Sequence, residues 1–190
     1  MSGDEPTRAD AAGDPAVVLD PGAVAAGSDP LGVGDGDAPP GTYALVFGLD
    51  AAATVAVGAL GAAEFAAGAY AYVGSAFGSN GLGRVDRHRR VAGGAHDVRF
   101  WHVDYLGGHP AASLESVVAA PGSGVECRLA AALRERAHRP GSGPDDDAAV
   151  PSGFGASDCG CPAHLVAGAH AERLRAAAVD AIDAVTPAKG

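Results

Sequence analysis

The chain has 190 residues, enough to bury one core and short for two. Its formal charge of −10 excludes, on charge alone, a nucleic-acid surface spread over the whole molecule. Three cysteines make no disulfide framework. With no basic leader ahead of an apolar core and no run of about 18 strongly apolar residues, a cytoplasmic protein without a membrane span is expected.

The charge is unevenly placed. Residues 1–40 carry eight acids and one base, leaving only −3 for residues 41–190. With 12 arginines against the single Lys189, and much Ala, Gly and Asp, the composition is that of a halophilic, high-salt cytoplasm. Phosphate contacts release few counterions there, so a partner has to be held by site geometry as well as by charge. Residues 1–40 have few large apolar side chains and no aromatic, so a disordered acidic tail is expected, closed by Pro39-Pro40.

The predicted elements then follow in order. Tyr43 to Leu49 reads as a buried strand. Thr54–Val57 and Ala63–Phe65, split by a glycine-containing turn, read as a hairpin. Ala69 to Val73 is a strand ended by Gly74. A helix is expected from about Gly81 to Val91, capped by Ser79 or Asn80. Phe100 to Leu106 is ambiguous by pattern, Leu114 to Val118 reads as a strand, and Val125 to Ala137 as a helix. The stretch 140–152, with its prolines, glycines and Asp145-Asp146-Asp147, reads as a mobile loop. An alanine-rich helix from about Ala169 to Val185 places Leu174, Ala178, Ala181 and Val185 on one stripe.

Three groups of residues carry chemistry. On the helix after Tyr72, Arg84, Arg87, His88 and Val91 share a face, and residues 84–99 hold five arginines against two aspartates. Arginine suits phosphate because its planar fork donates two hydrogen bonds and keeps its charge; the competing reading is a solvated charged face. Glu126 opens the next helix beside the apolar stripe of Leu129 and Leu133. A carboxylate there needs a partner, either a divalent cation, Arg128 or a main-chain donor. Cys159, Cys161 and His164 offer three ligands in a tight turn, and Cys127 or His102 could complete a zinc set. The competing reading is a loop whose cysteines are simply small apolar residues. In the run 101–105, Trp101 and Tyr105 read as core, and His102 and Asp104 are polar residues inside an apolar segment, read as a satisfied core histidine or, second, as an active-site wall.

The tripeptides Gly41-Thr42-Tyr43 and Tyr72-Val73-Gly74, followed by Arg84, resemble the GIY-YIG nuclease superfamily. With the runs YAYVGSA (70–76), GLGRVDRHRR (81–90), FWHVDYL (100–106), VECRLAAAL (125–133) and GFGASDCGCPAHL (153–165), the chain looks like a functionally uncharacterised GIY-YIG-like branch found in archaea and bacteria. The resemblance implies an α+β fold with a small, mainly antiparallel central sheet flanked by helices over residues 41–166. Residues 167–190 then form a C-terminal amphipathic helix and tail. It favours a short helix at 100–106 and implies magnesium-dependent hydrolysis of DNA phosphodiesters. Glu126 would hold Mg2+, Arg84 would contact the scissile phosphate, and Tyr43 or Tyr72, with His88, would act on the attacking water. Gly74, Ser75 and Arg87 would bind substrate, with Gly74 permitting close approach of the phosphate. DNA and DNA-repair proteins are the partners implied, since some relatives look fused to DNA-glycosylase domains. A non-catalytic nucleic-acid-binding adaptor and a small metal-stabilised interaction module are the alternatives. The chain departs from the family pattern in the long interval between Tyr43 and Tyr72, in Thr42 where an apolar residue is usual, and in lacking a clear counterpart of a late asparagine.

Overall fold

The computed structural model describes residues 15–137 and 150–186. Its elements, in chain order, are β1 (Val17–Leu19), α1 (Pro21–Ala25), β2 (Gly41–Leu49), β3 (Ala53–Ala56), β4 (Ala62–Phe65), β5 (Gly68–Ala76), α2 (Arg84–Ala92), α3 (His102–Gly107), β6 (Ala112–Pro121), α4 (Glu126–Ala137), β7 (Leu165–Gly168) and α5 (Ala171–Val185). Five strands form one sheet in the order β1-β6-β2-β5-β7, every neighbouring pair antiparallel. The fold is α+β, with helices on both faces of this central sheet.

Strand β2 shows why. Its side chains alternate between faces, as any strand's do, yet both sets are apolar and buried. Tyr43, Leu45 and Phe47 enter a core shared with Leu82, Val85, Val103, Leu106, Phe65 and Phe154. Ala44 and Val46 enter a second core with Leu129, Leu133, Leu174, Ala178 and Ile182. The first core is covered by α2, α3 and the β3–β4 hairpin, the second by α4 and α5. The small Ala44, Ala69, Ala71 and Ala120 let α4 and α5 lie close on the second face. Helix α5 therefore belongs to the same packed body as residues 41–166, and its expected stripe of Leu174, Ala178, Ala181 and Val185 is the buried one.

The two tripeptides meet because β2 and β5 are sheet neighbours. Tyr43 lies opposite Gly74, and Tyr72 lies opposite Leu45, so the two tyrosines are diagonal neighbours on one face. The long interval between them is the β3–β4 hairpin, a separate two-stranded sheet that leaves the β2–β5 pairing intact. Thr42 also finds its reason here. Its Oγ1 donates to the Ser123 carbonyl at 2.7 Å and accepts the Val125 N–H at 3.1 Å, tying β2 to the start of α4 just before Glu126.

Several expectations need correction. Residues 15–40 are ordered, against the disordered tail expected over 1–40; residues 1–14 lie outside the described residues. Strand β1 pairs with the edge of β6, and Leu19, Val24 and Val33 are buried. Asp20 caps α1 by accepting the Ala23 N–H at 2.8 Å. The Asp29 carboxylate accepts the N–H groups of Leu31, Val33 and Gly34 at 3.1, 2.9 and 2.9 Å. Composition misses such a segment because a few buried side chains and a carboxylate that satisfies three amides offset the ordering cost. Strand β5 continues past Gly74 to Ala76. Asn80 precedes a 3-10 turn over Gly81–Gly83 ahead of α2, with no side-chain cap bond. Strand β7 was not foreseen, being only four residues long. Of the expected loop at 140–152, residues 140–149 lie outside the described residues.

Candidate active site

Tyr43 and Tyr72 on the sheet, Ser75 at the end of β5, Arg84 at the start of α2, and Glu126 at the start of α4 line one cavity of about 230 Å³. Phe100, Trp101 and His102 form another wall, and Gly155, Ser157 and Asp158 close it from the loop before β7. The strand pairing fixes the two phenols, and two helix starts deliver a cation and an anion beside them.

Arg84 is held in place without being neutralised. Its Nη1 donates to the Ser75 carbonyl at 2.8 Å, and its guanidinium stacks 4.7 Å over the Trp101 ring. Among the described residues it forms no ion pair with a carboxylate. The tyrosines feel both nearby charges. Burial raises the Tyr72 pKa most, the Glu126 charge raises it further, and the Arg84 charge lowers it.

Behind Tyr43 lies a buried chain of polar groups. The Tyr43 hydroxyl is 3.0 Å from His88 Nε2, and His88 Nδ1 is 2.7 Å from Asp104 Oδ1. Asp104 Oδ2 accepts from Arg87 Nη1 at 2.8 Å and from the N–H groups of Phe100 and Trp101 at 2.9 and 3.1 Å. Burial holds His88 below its ordinary pKa, against the opposing pull of Asp104, so the imidazole is neutral at neutral pH. Burial pushes the Asp104 carboxyl up, but hydrogen bonds from His88, Phe100 and Arg87 outweigh it and hold the group ionised, well below the usual carboxylate range. A neutral His88 beside a carboxylate carries its proton on Nδ1, leaving Nε2 to accept the Tyr43 O–H. Burial raises the Tyr43 pKa far above its ordinary value. The phenol therefore stays protonated at neutral pH, with its hydroxyl hydrogen-bonded to the imidazole.

Two residues expected to bind substrate sit elsewhere. Gly74 does not line the cavity; a Cβ there would lie 2.6 Å from the Tyr43 hydroxyl oxygen. The missing side chain makes room for the Tyr43 ring instead of for a phosphate. Arg87 also lies outside the lining, spent on Asp104, on the Val98 carbonyl at 2.7 Å, and on the faces of Trp101 and Phe100. His88 stands one step back from the cavity, behind Tyr43. Asp104 and Asp158 join the site through the fold: in the sequence Asp104 shows only as a carboxylate inside an apolar run, and Asp158 only as the residue before Cys159.

The cysteine–histidine expectation resolves onto one set. The ligand atoms of Cys127, Cys159, Cys161 and His164 all lie within 4.8 Å of one another, and such a cluster can hold a metal ion. Cys127, from α4, is the fourth member. His102 is not, since its Nδ1 accepts the Gly155 N–H at 2.9 Å. His164 is buried, with Nδ1 facing Glu126 Oε1 at 3.4 Å but making no hydrogen bond.

Among the described residues, no helix is long and apolar enough to cross a membrane. No curated protein and no solved structure matches the chain significantly. A family model matches residues 42–186, covering the sheet from β2 onward, the whole cavity and the cysteine–histidine cluster. The chain thus belongs to the family described as a domain of unknown function, DUF123.

Proposed function

We propose that the cavity hydrolyses DNA phosphodiesters in the manner of the GIY-YIG nucleases that the sequence resembles. The observation that carries this reading is the meeting of Tyr43, Tyr72, Arg84 and Glu126 in one open cavity, with Tyr43 backed by His88 and Asp104. Arg84, free of any carboxylate partner among the described residues, offsets charge building on the phosphoryl oxygens. Phe100, 72% exposed beside Arg87 and at the cavity's rim, offers an aromatic face to a nucleobase.

The proton path follows from the hydrogen bonds. Water attacks phosphorus and gives a proton to the Tyr43 oxygen as the phenol passes its own to His88 Nε2. The Asp104 carboxylate stabilises the imidazolium so formed. The P–O bond to water forms as the bond to the leaving oxygen breaks; the departing alkoxide takes a proton from solvent, giving a phosphomonoester and a hydroxyl end, and His88 returns its proton to solvent through Tyr43. Glu126 and Asp158 bring two carboxylates to the same cavity, an oxygen set suited to a hard cation that keeps part of its hydration shell. Bound there, Mg2+ would supply charge to polarise the phosphate and ease departure of the leaving oxygen.

The test is a magnesium-dependent cleavage screen over branched, flapped and single-stranded DNA at high salt, with Arg84→Ala and Glu126→Ala beside the parent. We expect cleavage by the parent and a loss of at least about 100-fold in each variant. DNA binding with no cleavage under any condition would instead support the non-catalytic adaptor reading.

A further inference from the structure

The cysteine–histidine cluster lies outside the proton path, yet its residues come from the two segments that supply Glu126 and Asp158 to the cavity lining. Cys127 is on α4, directly after Glu126. Cys159, Cys161 and His164 come from the segment that also supplies Gly155, Ser157 and Asp158 to the cavity wall. None of the three cysteines is in a disulfide. Tetrahedral zinc, with bonds of about 2.3 Å to sulfur and about 2.0 Å to nitrogen, sets its ligand atoms roughly 3.5–3.8 Å apart. His164 Nε2 is 3.8 Å from Cys127 Sγ and 3.4 Å from Cys159 Sγ. Two of the sulfurs thus stand at about that spacing from the imidazole nitrogen, and all four ligand atoms, Cys161 Sγ included, lie within 4.8 Å of one another.

The other nitrogen of His164 is the second, independent observation. Its Nδ1 is buried and has no hydrogen-bond partner, although Glu126 Oε1 is only 3.4 Å away. A buried orphan of this kind costs free energy unless it is satisfied. Coordination through Nε2 fixes the proton on Nδ1, turning it into a donor aimed at the Glu126 carboxylate. One Glu126 oxygen would then be anchored, leaving the other for the cavity.

We infer that Cys127, Cys159, Cys161 and His164 bind a structural zinc ion that holds the loop wall of the cavity against α4 and, through His164 Nδ1–H, positions Glu126. Binding displaces the three thiol protons to solvent and changes no oxidation state. The zinc site rests on the cluster's geometry and the link to Glu126 on the His164 Nδ1 contact, and both stand or fall separately from DNA hydrolysis.

The experiment uses the full chain, produced with zinc in the medium, purified under reducing conditions and assayed for metal by mass spectrometry. One zinc per chain is expected. Replacement by Co2+ should give the intense visible bands of a tetrahedral ion and a thiolate charge-transfer band. A parent that neither retains zinc nor binds it on reconstitution, or a cobalt spectrum without those bands, overturns the site. Cys161→Ser should lose the ion to a competing chelator; an unchanged zinc content in that variant also overturns it. For the link to Glu126, Glu126→Ala should weaken zinc affinity about 10–100-fold and shift the cobalt bands. Glu126→Gln, which keeps an acceptor oxygen, should restore most of that affinity. Equal affinity in parent and Glu126→Ala removes the positioning role.

Discussion

Asp104 accepts from an imidazole, a guanidinium and two backbone amides at once, and that concentration of donors gives His88 its character. His88 is held below its ordinary pKa of 6.5 by burial, so the unfolded chain takes up this proton first. Stability from His88 is therefore full above pH 6.5 and falls as the pH drops below it, until the folded imidazole also titrates. A second loss begins below pH 3.8, where the unfolded Asp104 carboxyl protonates while the folded one stays ionised. We expect urea-unfolding free energies to decline below pH 6.5, with His88→Gln removing a slope of up to about 1.4 kcal/mol per pH unit. A parent and a variant with the same slope would contradict a buried neutral imidazole. Sequence reading reached part of this arrangement. Helical spacing puts Arg84 and His88 on one face, and only the family resemblance implies a site there; nothing in the spacing pairs His88 with a carboxylate on the next helix. The space beside Gly74 is filled by the Tyr43 ring, a packing that the tripeptide by itself does not reveal.

The elements that hold the site were read more easily than the ones that finish the fold. β2 and β5 show as largely apolar runs because both faces are buried, the apolar half of β6 shows at Val117–Ala120, and α4 shows through its buried stripe of Leu129, Ala130 and Leu133. The segment 17–40 does not. Three strand residues and a five-residue helix carry little pattern, and their order depends on partners far along the chain, chiefly the free edge of β6. Deleting residues 1–37 should therefore destabilise the protein, because Leu19, Val24 and Val33 leave the core and the edge of β6 is uncovered. At about 1.5–3 kcal/mol for each buried side chain, the loss should be several kcal/mol by chemical denaturation. A truncated chain as stable as the parent would mean that β1 and α1 merely rest on the surface. Thr42 shows the opposite case: an apparent departure from the family pattern is explained by two hydrogen bonds that fix where α4 begins.

Over the whole molecule, the charge of −10 and a cavity that holds Arg84 are compatible because residues 1–40 carry −7 of that charge and leave only −3 for residues 41–190. The family match begins at residue 42, so β1 and α1 lie outside it, whereas α5 lies within it and closes the second core. In the proposed hydrolysis everything rests on one proton leaving a phenol that burial keeps from ionising. The most direct measurement is the single-turnover rate of magnesium-dependent DNA cleavage by the parent and by Tyr43→Phe, which keeps the ring against Gly74 and removes only the hydroxyl. We predict a loss of about 100–10,000-fold with substrate affinity little changed. Cleavage by Tyr43→Phe at the parent's rate would contradict it.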